Sequence, residues 1–432
     1  MSESYYSATA KEKFTTSKLC ENLITDVCII GGGIVALSCA QTLNENGISV
    51  AIIEKGQIFS GASGLNGGFV VPGYSLGLNE IEKKVGLEDA KELFEATIKG
   101  VNKVKNNILL YKLDSTKMEP GKLDLLRYRP SIKELNYPEM MARNYGYKIE
   151  QMEKEKVQGL LNTDAYCHGF FHPKGFHIHP LNYGFGLACQ LEKDGVKFYE
   201  RSKVKFIKKT EEGYKAVCSS GDITCQEVVV CTGGYPGDEP REIKKSILPI
   251  TTYVVTSEPN DKIPNNYIKT KYALGDNRRA SDYYRLVDDN RVLWGGRITA
   301  FPANNTKTIE NKIRKDISNV FPELSNIKFS YSWSGVMGYA THKMPYIGQL
   351  KNGIWYCTAF GGRGLGSGTA CGDIVARAVL GKTDQLKLFK NFNLQKNYGV
   401  FGKIAVEATY KRYIAKDYMK ERSQKNNYWS KK

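Results

Sequence analysis

Two glycines and an acid carry the first recognisable chemistry in this chain. Gly31 and Gly33 lie in the run Asp26-Val27-Cys28-Ile29-Ile30-Gly31-Gly32-Gly33-Ile34-Val35-Ala36, where an apolar strand turns into a helix. Glu54 ends the next apolar strand, Val50-Ala51-Ile52-Ile53, 23 positions after Gly31. Each residue type has a physical job. Gly31 permits the tight turn, Gly33 lets the backbone approach a pyrophosphate, and the small Ala36 keeps the helix close to the strand. Unpaired N–H groups and the dipole at the helix start favour phosphate. The Glu54 carboxylate can accept hydrogen bonds from a ribose diol and repels a 2′-phosphate. The pattern is that of a dinucleotide-binding βαβ unit.

A second turn of the same kind lies far downstream. Ile354-Trp355-Tyr356-Cys357-Thr358-Ala359-Phe360 runs into Gly361-Gly362-Arg363-Gly364-Leu365-Gly366-Ser367-Gly368-Thr369, followed by a helix through Leu380. Its dipole can stabilise negative charge on whatever it faces. Between the two lie a loop of small residues, Ser60 to Gly68, and a strand, Glu227 to Cys231, that delivers Thr232-Gly233-Gly234. Two phosphate-type turns so far apart imply one long ligand held at both ends.

Other candidates are side chains. Tyr253, Tyr283, Tyr284, Arg285, Trp294 and Trp333 concentrate aromatic and cationic character in one stretch, suited to a pocket wall or to ordinary sheet packing. His342 falls on the connection back toward the second glycine turn, where it can orient a substrate or sit as an exposed turn histidine. Four of the five histidines cluster between His168 and His179. Pro173 and Gly175 break any helix there and no cysteine or carboxylate stands at ligand spacing, so no metal site is expected.

The elements that must position these residues follow from length and pattern. At 432 residues and 41% hydrophobic, the chain can build two domains. No apolar run approaches the roughly 20 residues of a membrane span. Met1 to Leu23 has no apolar core and reads as neither a secretory signal nor a transit peptide. Ten cysteines without a CxxC, several inside apolar patterns, read as reduced thiols of a cytoplasmic protein. The net charge of +17 comes from scattered lysines except in the last 22 residues, where eight Lys/Arg face Asp417 and Glu421. Such scatter does not indicate a nucleic-acid partner.

The expected fold is α/β. Residues 1–80, 181–240 and 341–385 assemble a discontinuous Rossmann-like domain, with a helix from Leu181 to Glu192. Residues 81–180 form a helical layer, helical from Leu78 to Leu113, with connecting strands that include the histidine segment. Residues 241–340 form a mainly antiparallel β-sheet domain for substrate, with strands Thr251–Ser257, Asp282–Leu286, Val292–Ile298 and Lys328–Trp333 and a helix Ile309–Val320. Residues 386–432 form a basic helical tail.

These pieces, with Ser4-Tyr5-Tyr6, Gly61-Ala62-Ser63-Gly64-Leu65-Asn66-Gly67-Gly68, His179-Pro180-Leu181, Thr256-Ser257-Glu258-Pro259, Asp282-Tyr283-Tyr284-Arg285-Leu286, Phe321-Pro322-Glu323-Leu324 and Met344-Pro345-Tyr346-Ile347-Gly348, resemble the D-amino-acid oxidase superfamily of flavin oxidoreductases. The likeness is strongest to its gamma-glutamylputrescine oxidase branch. It implies FAD, with Gly31, Gly33, Ile34, Val35, Glu54 and Lys55 at the ADP half. Ser63, Asn66, Gly67 and Gly68 would lie near the pyrophosphate and flavin, with Thr232 and Gly233 at the returning strand. Gly362, Gly364, Leu365, Gly366 and Ser367 would lie at the pyrimidine edge. Val204, in an apolar strand, would meet adenine through its backbone. Cysteine-linked flavin in the superfamily occurs in a different local pattern, so noncovalent FAD is expected.

The resemblance further implies oxidation of the C–N bond of a small amine or amino acid by hydride transfer to flavin N5. The imine produced is hydrolysed, and oxygen or another acceptor takes the electrons. A gamma-glutamylputrescine-like substrate has a distant carboxylate. The relatives' carboxylate-binding arginine aligns with Val287, and Arg285, two residues earlier on the same strand face, can substitute or can pair with Asp282 or Asp288. Arg363 would stabilise negative charge on reduced flavin, and Tyr253 and His342 would face substrate. The competing readings are a dehydrogenase using a non-oxygen acceptor, a nicotinamide-dependent dehydrogenase and a non-catalytic flavoprotein.

Overall fold

The computed structural model describes residues 3–238, 240–279, 281–302 and 306–429. Strand Leu23–Ile30 lies between two parallel neighbours, Val50–Ile53 and Asp222–Val230, which is why its second half reads as a continuous apolar run. The full sheet runs Tyr346–Gln349, Trp355–Thr358, Asp222–Val230, Leu23–Ile30, Val50–Ile53, Lys197–Tyr199, with the hairpin Phe206–Thr210 and Gly213–Val217 attached to Asp222–Val230. Three separate stretches of chain therefore supply one sheet whose five strands from Trp355–Thr358 to Lys197–Tyr199 are parallel, with antiparallel pairings at Tyr346–Gln349 and the hairpin. Val204 is not on a strand. Arg201 takes φ +51° and ends the extended run, so Val204 sits in the loop between Lys197–Tyr199 and Phe206–Thr210.

The helix after the first glycine turn, Ile34–Asn44, packs on the helix after the second, Thr369–Val379. Their approach is set by Gly372, where a Cβ would meet Val35 O at 2.6 Å. The expected helix over 78–113 is two helices, Leu78–Val85 and Leu87–Leu110, broken at Gly86 with φ +84°. The helix expected from Leu181 spans Pro180–Lys193.

A second sheet of nine strands faces the first domain. Its order is Phe329–Tyr339, Leu248–Ser257, Arg291–Thr299, Tyr283–Val287, Ala273–Asp276, Glu119–Leu126, His168–His177, Phe69–Val70, with Glu150–Glu153 on His168–His177. One pair, Ala273–Asp276 with Glu119–Leu126, is parallel and the others are antiparallel. Four strands of this sheet therefore come from residues 69–177, outside the stretch assigned to it by sequence. Alternation explains them. In Glu119–Leu126, Leu123 and Leu125 enter the core beneath the helix Thr306–Val320, while Lys122 and Asp124 line the cavity between the domains.

The same alternation corrects Tyr253. Its neighbour Thr252 lines the cavity, whereas Tyr253 belongs with Tyr284 and Trp294 in the core under Ile309, Ile313 and Ile317. Tyr284 and Trp294 stack there with centroids 4.2 Å apart.

The C-terminal helix Gly399–Trp429 lies against this sheet. Its last neighbours, residues 430–432, fall outside the described residues. Among the described residues no helix is long and apolar enough to cross a membrane, and all ten cysteines are unpaired.

Candidate active site

The glycine turn has the geometry its sequence requires. Gly31 adopts φ +109°, and a Cβ there would meet Cys231 O at 2.6 Å. Glu54 folds back on the turn: Oε2 accepts from Gly32 N at 2.8 Å and Oε1 from Gly56 N at 2.7 Å. A carboxylate has about four acceptor positions, so both oxygens keep capacity for a diol. Lys55 points away, with Nζ 5.4 Å over the Tyr235 ring.

Ser63 closes the turn from the far side, its Oγ accepting from Ile34 N at 3.0 Å. Its loop is tied down twice. Asn66 donates to Ala62 O and Ser63 O and accepts from Gly68 N at 2.7 Å, and Trp333 Nε1 donates to Leu65 O at 2.9 Å. The Tyr283 ring is clamped between Gly67 and Gly295, where a Cβ would come within 2.5 and 2.0 Å of it.

A cavity of about 360 Å³ starts at Gly33, Ile34 and Val35 and passes Ser63, Asn66, Gly67 and Gly233. Gly362, Arg363, Gly364 and Leu365 border it from the second turn. Gly366 and Ser367 instead pack behind it: a Cβ on Gly366 would meet Val71 O at 2.6 Å, and Ser367 Oγ donates to Arg363 O at 2.6 Å. The buried Thr232 Oγ1 has no hydrogen-bond partner among the described residues. A turn with no room for Cβ, a helix N-terminus and an orphaned hydroxyl beside it fit a dinucleotide.

The far wall is charged. Lys122 pairs with Asp124, whose other oxygen lies 2.9 Å from His172 Nε2. Burial alone would raise the Asp124 pKa, but Lys122 and His172 hold it well below the carboxylate range. Burial lowers Lys122, opposed by Asp124 and assisted by Arg363. The Arg363 side chain is exposed at the cavity wall. Asp276 and Asp282 complete the wall, bridged by Arg278, and burial pushes Asp282 up to about 7 against the pull of Arg278. Lys122 and Asp124 escaped the sequence reading; the signal was the alternation Lys122-Leu123-Asp124-Leu125.

Two expected substrate residues are elsewhere. Arg285 is 4% exposed and spends its guanidinium on the scaffold. Nε donates to Gly67 O at 2.8 Å, Nη1 to His177 Nδ1 at 2.9 Å, and Nη2 to Ile178 O at 2.9 Å and Tyr6 OH at 3.1 Å. Its suggested acids are paired with others, Asp282 with Arg278 and Asp288 with Lys117. His342 turns to the C-terminal segment, with Nε2 3.3 Å from Asn393 O and its ring against Phe392 and Tyr346.

The clustered histidines are structural. His177 Nε2 lies 2.7 Å from Lys271 O, so it must donate there while Nδ1 accepts from Arg285. His179 caps the helix Pro180–Lys193 by accepting from Asn182 N at 3.1 Å. Burial, then the Arg285 charge, lowers both, His179 to about 3. Among the described residues no group of three or more His, Cys, Asp or Glu is placed to hold a metal ion.

A mainly parallel sheet with a phosphate-type turn, joined over a cavity to a second, mainly antiparallel sheet, defines a two-domain flavoenzyme fold. Solved structures share it. Glycine oxidase from Geobacillus kaustophilus matches with TM-score 0.69 at 18% identity, covering 86% of this chain and 99% of that one. L-proline dehydrogenase from P. horikoshii matches with TM-score 0.70 at 18% identity, covering 87% and 100%. The model of the DAO family, FAD dependent oxidoreductase, matches residues 26–378, and this chain belongs to that family. Gamma-glutamylputrescine oxidoreductase of Escherichia coli K12 is 30% identical over 391 residues, covering 90% of this chain and 91% of that protein. A probable oxidoreductase, OrdL, of Haemophilus influenzae is 28% identical over 402 residues, 92% of each.

Two outcomes follow for stability. Arg285→Met strands two carbonyls and an imidazole acceptor in the interior and should cost about 2–4 kcal/mol in chemical denaturation, whereas Arg363→Met should leave the midpoint unchanged. Unfolded imidazoles titrate near 6.5, so below that pH the unfolded chain binds protons that His177 and His179 refuse. Stability should therefore be complete above about pH 6.5 and fall toward about pH 3, by up to about 1.4 kcal/mol per unit per histidine. His179→Asn, which can keep the cap, should flatten that slope in urea titrations run between pH 7 and 5.

Proposed function

We propose that this FAD-dependent oxidoreductase oxidises the C–N bond of a small amine or amino acid carrying a carboxylate remote from the reacting nitrogen, as a gamma-glutamylputrescine-like substrate does, with oxygen as the acceptor. One observation carries the reading. The cavity that begins at the dinucleotide turn ends beside the exposed cation Arg363, whereas Lys122 with Asp124, and Arg278 with Asp276 and Asp282, are paired with one another. The likeness to a gamma-glutamylputrescine oxidoreductase supports the same substrate class.

FAD, when bound, supplies the electron sink for the substrate's C–H bond. Gly31, Gly33, Ile34 and Val35 would hold its pyrophosphate, Glu54 its ribose diol and Thr232 a polar edge, without a covalent link. Gly67, Gly362, Gly364 and Leu365 would border its ring system. Arg363, beside the second turn, raises the positive potential where negative charge develops. Arg363 meets the substrate carboxylate, while Lys122 and Asp124, paired with each other, give the cavity a polar wall. Tyr283, clamped by glycines, keeps the wall rigid and excludes water. The unpaired thiols support a reducing, cytoplasmic setting.

An anaerobic screen of amines, followed by flavin absorbance in the purified holoenzyme, tests this reading. Bleaching by amines with a remote carboxylate is expected; bleaching by none overturns it. Arg363→Met should lower kcat/KM for such an amine by about 2 kcal/mol, roughly thirtyfold, and by less for an uncharged amine, which loses only the arginine's share of the potential at the flavin. Gly33→Val, which drives a side chain into Ser63 Oγ 2.8 Å from the Cβ position, should purify without flavin.

A further inference from the structure

We propose that the outward face of the C-terminal helix Gly399–Trp429 is a docking surface for an anionic lipid bilayer. The inference is independent of the substrate. It starts from exposed apolar side chains. Of the fourteen large hydrophobic residues exposed among the described residues, seven fall between Tyr398 and Met419, and three of them, Phe401 at 80%, Ile404 at 52% and Met419 at 59%, share one side of the helix. Single exposed hydrophobics are ordinary, but several on one helix side mark a surface for interaction.

The charges on this helix are sorted by side. Its acids are engaged with the protein. Glu407 accepts from Ala300 N at 2.6 Å, Asp417 is buried and accepts from Arg279 N at 3.0 Å, and Glu421 lies 3.8 Å from Arg127 Nη1. Lys411, Arg412, Lys416 and Arg422 are exposed and form no salt bridge among the described residues. At about 3.6 residues per turn, Phe401, Ile404, Arg412, Lys416 and Met419 share the side opposite Tyr410, Asp417 and Glu421. The outward side thus mixes bulky apolar residues with cations and, between residues 399 and 422, carries no acid.

That combination suits the boundary of an anionic membrane, where apolar side chains reach the acyl region and cations meet the head groups. A second copy of this chain fits poorly, because a symmetric contact would set cation against cation. Residues 399–422 of the helix span about 36 Å at about 1.5 Å per residue. The chain's net charge of +17 favours approach to the same surface.

Co-sedimentation of the full-length holoenzyme with vesicles tests the proposal. Binding is expected to phosphatidylcholine vesicles containing phosphatidylglycerol, is reversed by salt, and is far weaker to phosphatidylcholine alone. Each cation near an anionic surface contributes about fivefold in affinity, so the triple change Lys411→Glu, Arg412→Glu, Lys416→Glu should weaken binding by more than about a hundredfold. Phe401→Ser with Met419→Ser should weaken it with every charge intact. Flavin content and amine-dependent flavin reduction in solution should be unchanged in both. No binding to anionic vesicles, equal binding to neutral ones, or unaltered binding by the triple variant overturns the proposal. A concentration-dependent dimer abolished by the triple variant, without vesicle binding, would assign the face to a second copy instead.

Discussion

A buried guanidinium ties the second sheet to the loop beside the dinucleotide turn. Arg285 stands on the second sheet, yet its donors end on Gly67 of the loop beside the dinucleotide turn, on Ile178 ahead of the helix Pro180–Lys193, and on Tyr6 near the chain's start. These segments are far apart in sequence, and Trp333 Nε1 on Leu65 O and Ile178 N on Gly68 O reinforce the same junction. The charge has carbonyl, imidazole and hydroxyl partners and no carboxylate, so its burial depends on all of them being in place at once. Burial, with this charge beside them, keeps His177 and His179 neutral.

Absence of side chains does as much as their presence. Gly67 and Gly295 leave room for the Tyr283 ring, Gly31 for the carbonyl of Cys231, and Gly372 for the backbone of the helix Ile34–Asn44. Each is a contact between backbone and something rigid, where a methyl group has nowhere to go. The cavity is consequently shaped by fixed atoms on its dinucleotide side. On the second sheet it is shaped by charged side chains whose neighbours hold them: Lys122 by Asp124, Asp124 by His172, and Asp276 and Asp282 by Arg278.

This difference decides what was legible in the sequence. Gly31, Gly33, Glu54, Ser63 and the second glycine turn could be read because their roles follow from local backbone geometry: a turn, a helix start, a strand end. Arg285 was placed at the substrate by the family resemblance and its strand face, and Tyr253 and His342 by residue type and position, but the destination of a long side chain depends on partners that only tertiary structure supplies. Arg285 found carbonyls, Tyr253 lay one residue out of phase with the cavity face, and His342 packed on the chain's final segments. Lys122 and Asp124 stayed hidden because the connecting strands expected within residues 81–180 were not located, although a charged and leucine alternation is a strand signal.

The acids at the cavity link it to the C-terminal helix. Asp276 and Asp282 line the cavity and share Arg278, Asp276 also binds Arg127 Nε at 3.0 Å, and Arg127 reaches Glu421 on that helix. Every member is wholly or largely buried, so screening by salt is weak and the charges act on one another at short range. Removing the helix's inward acids would leave Arg127 short of a partner within this chain of ion pairs and shift the balance on Asp276. The inward and outward faces of the helix therefore answer to different environments: one completes the charge balance of the cavity wall, and the other carries an uncompensated positive surface into solvent.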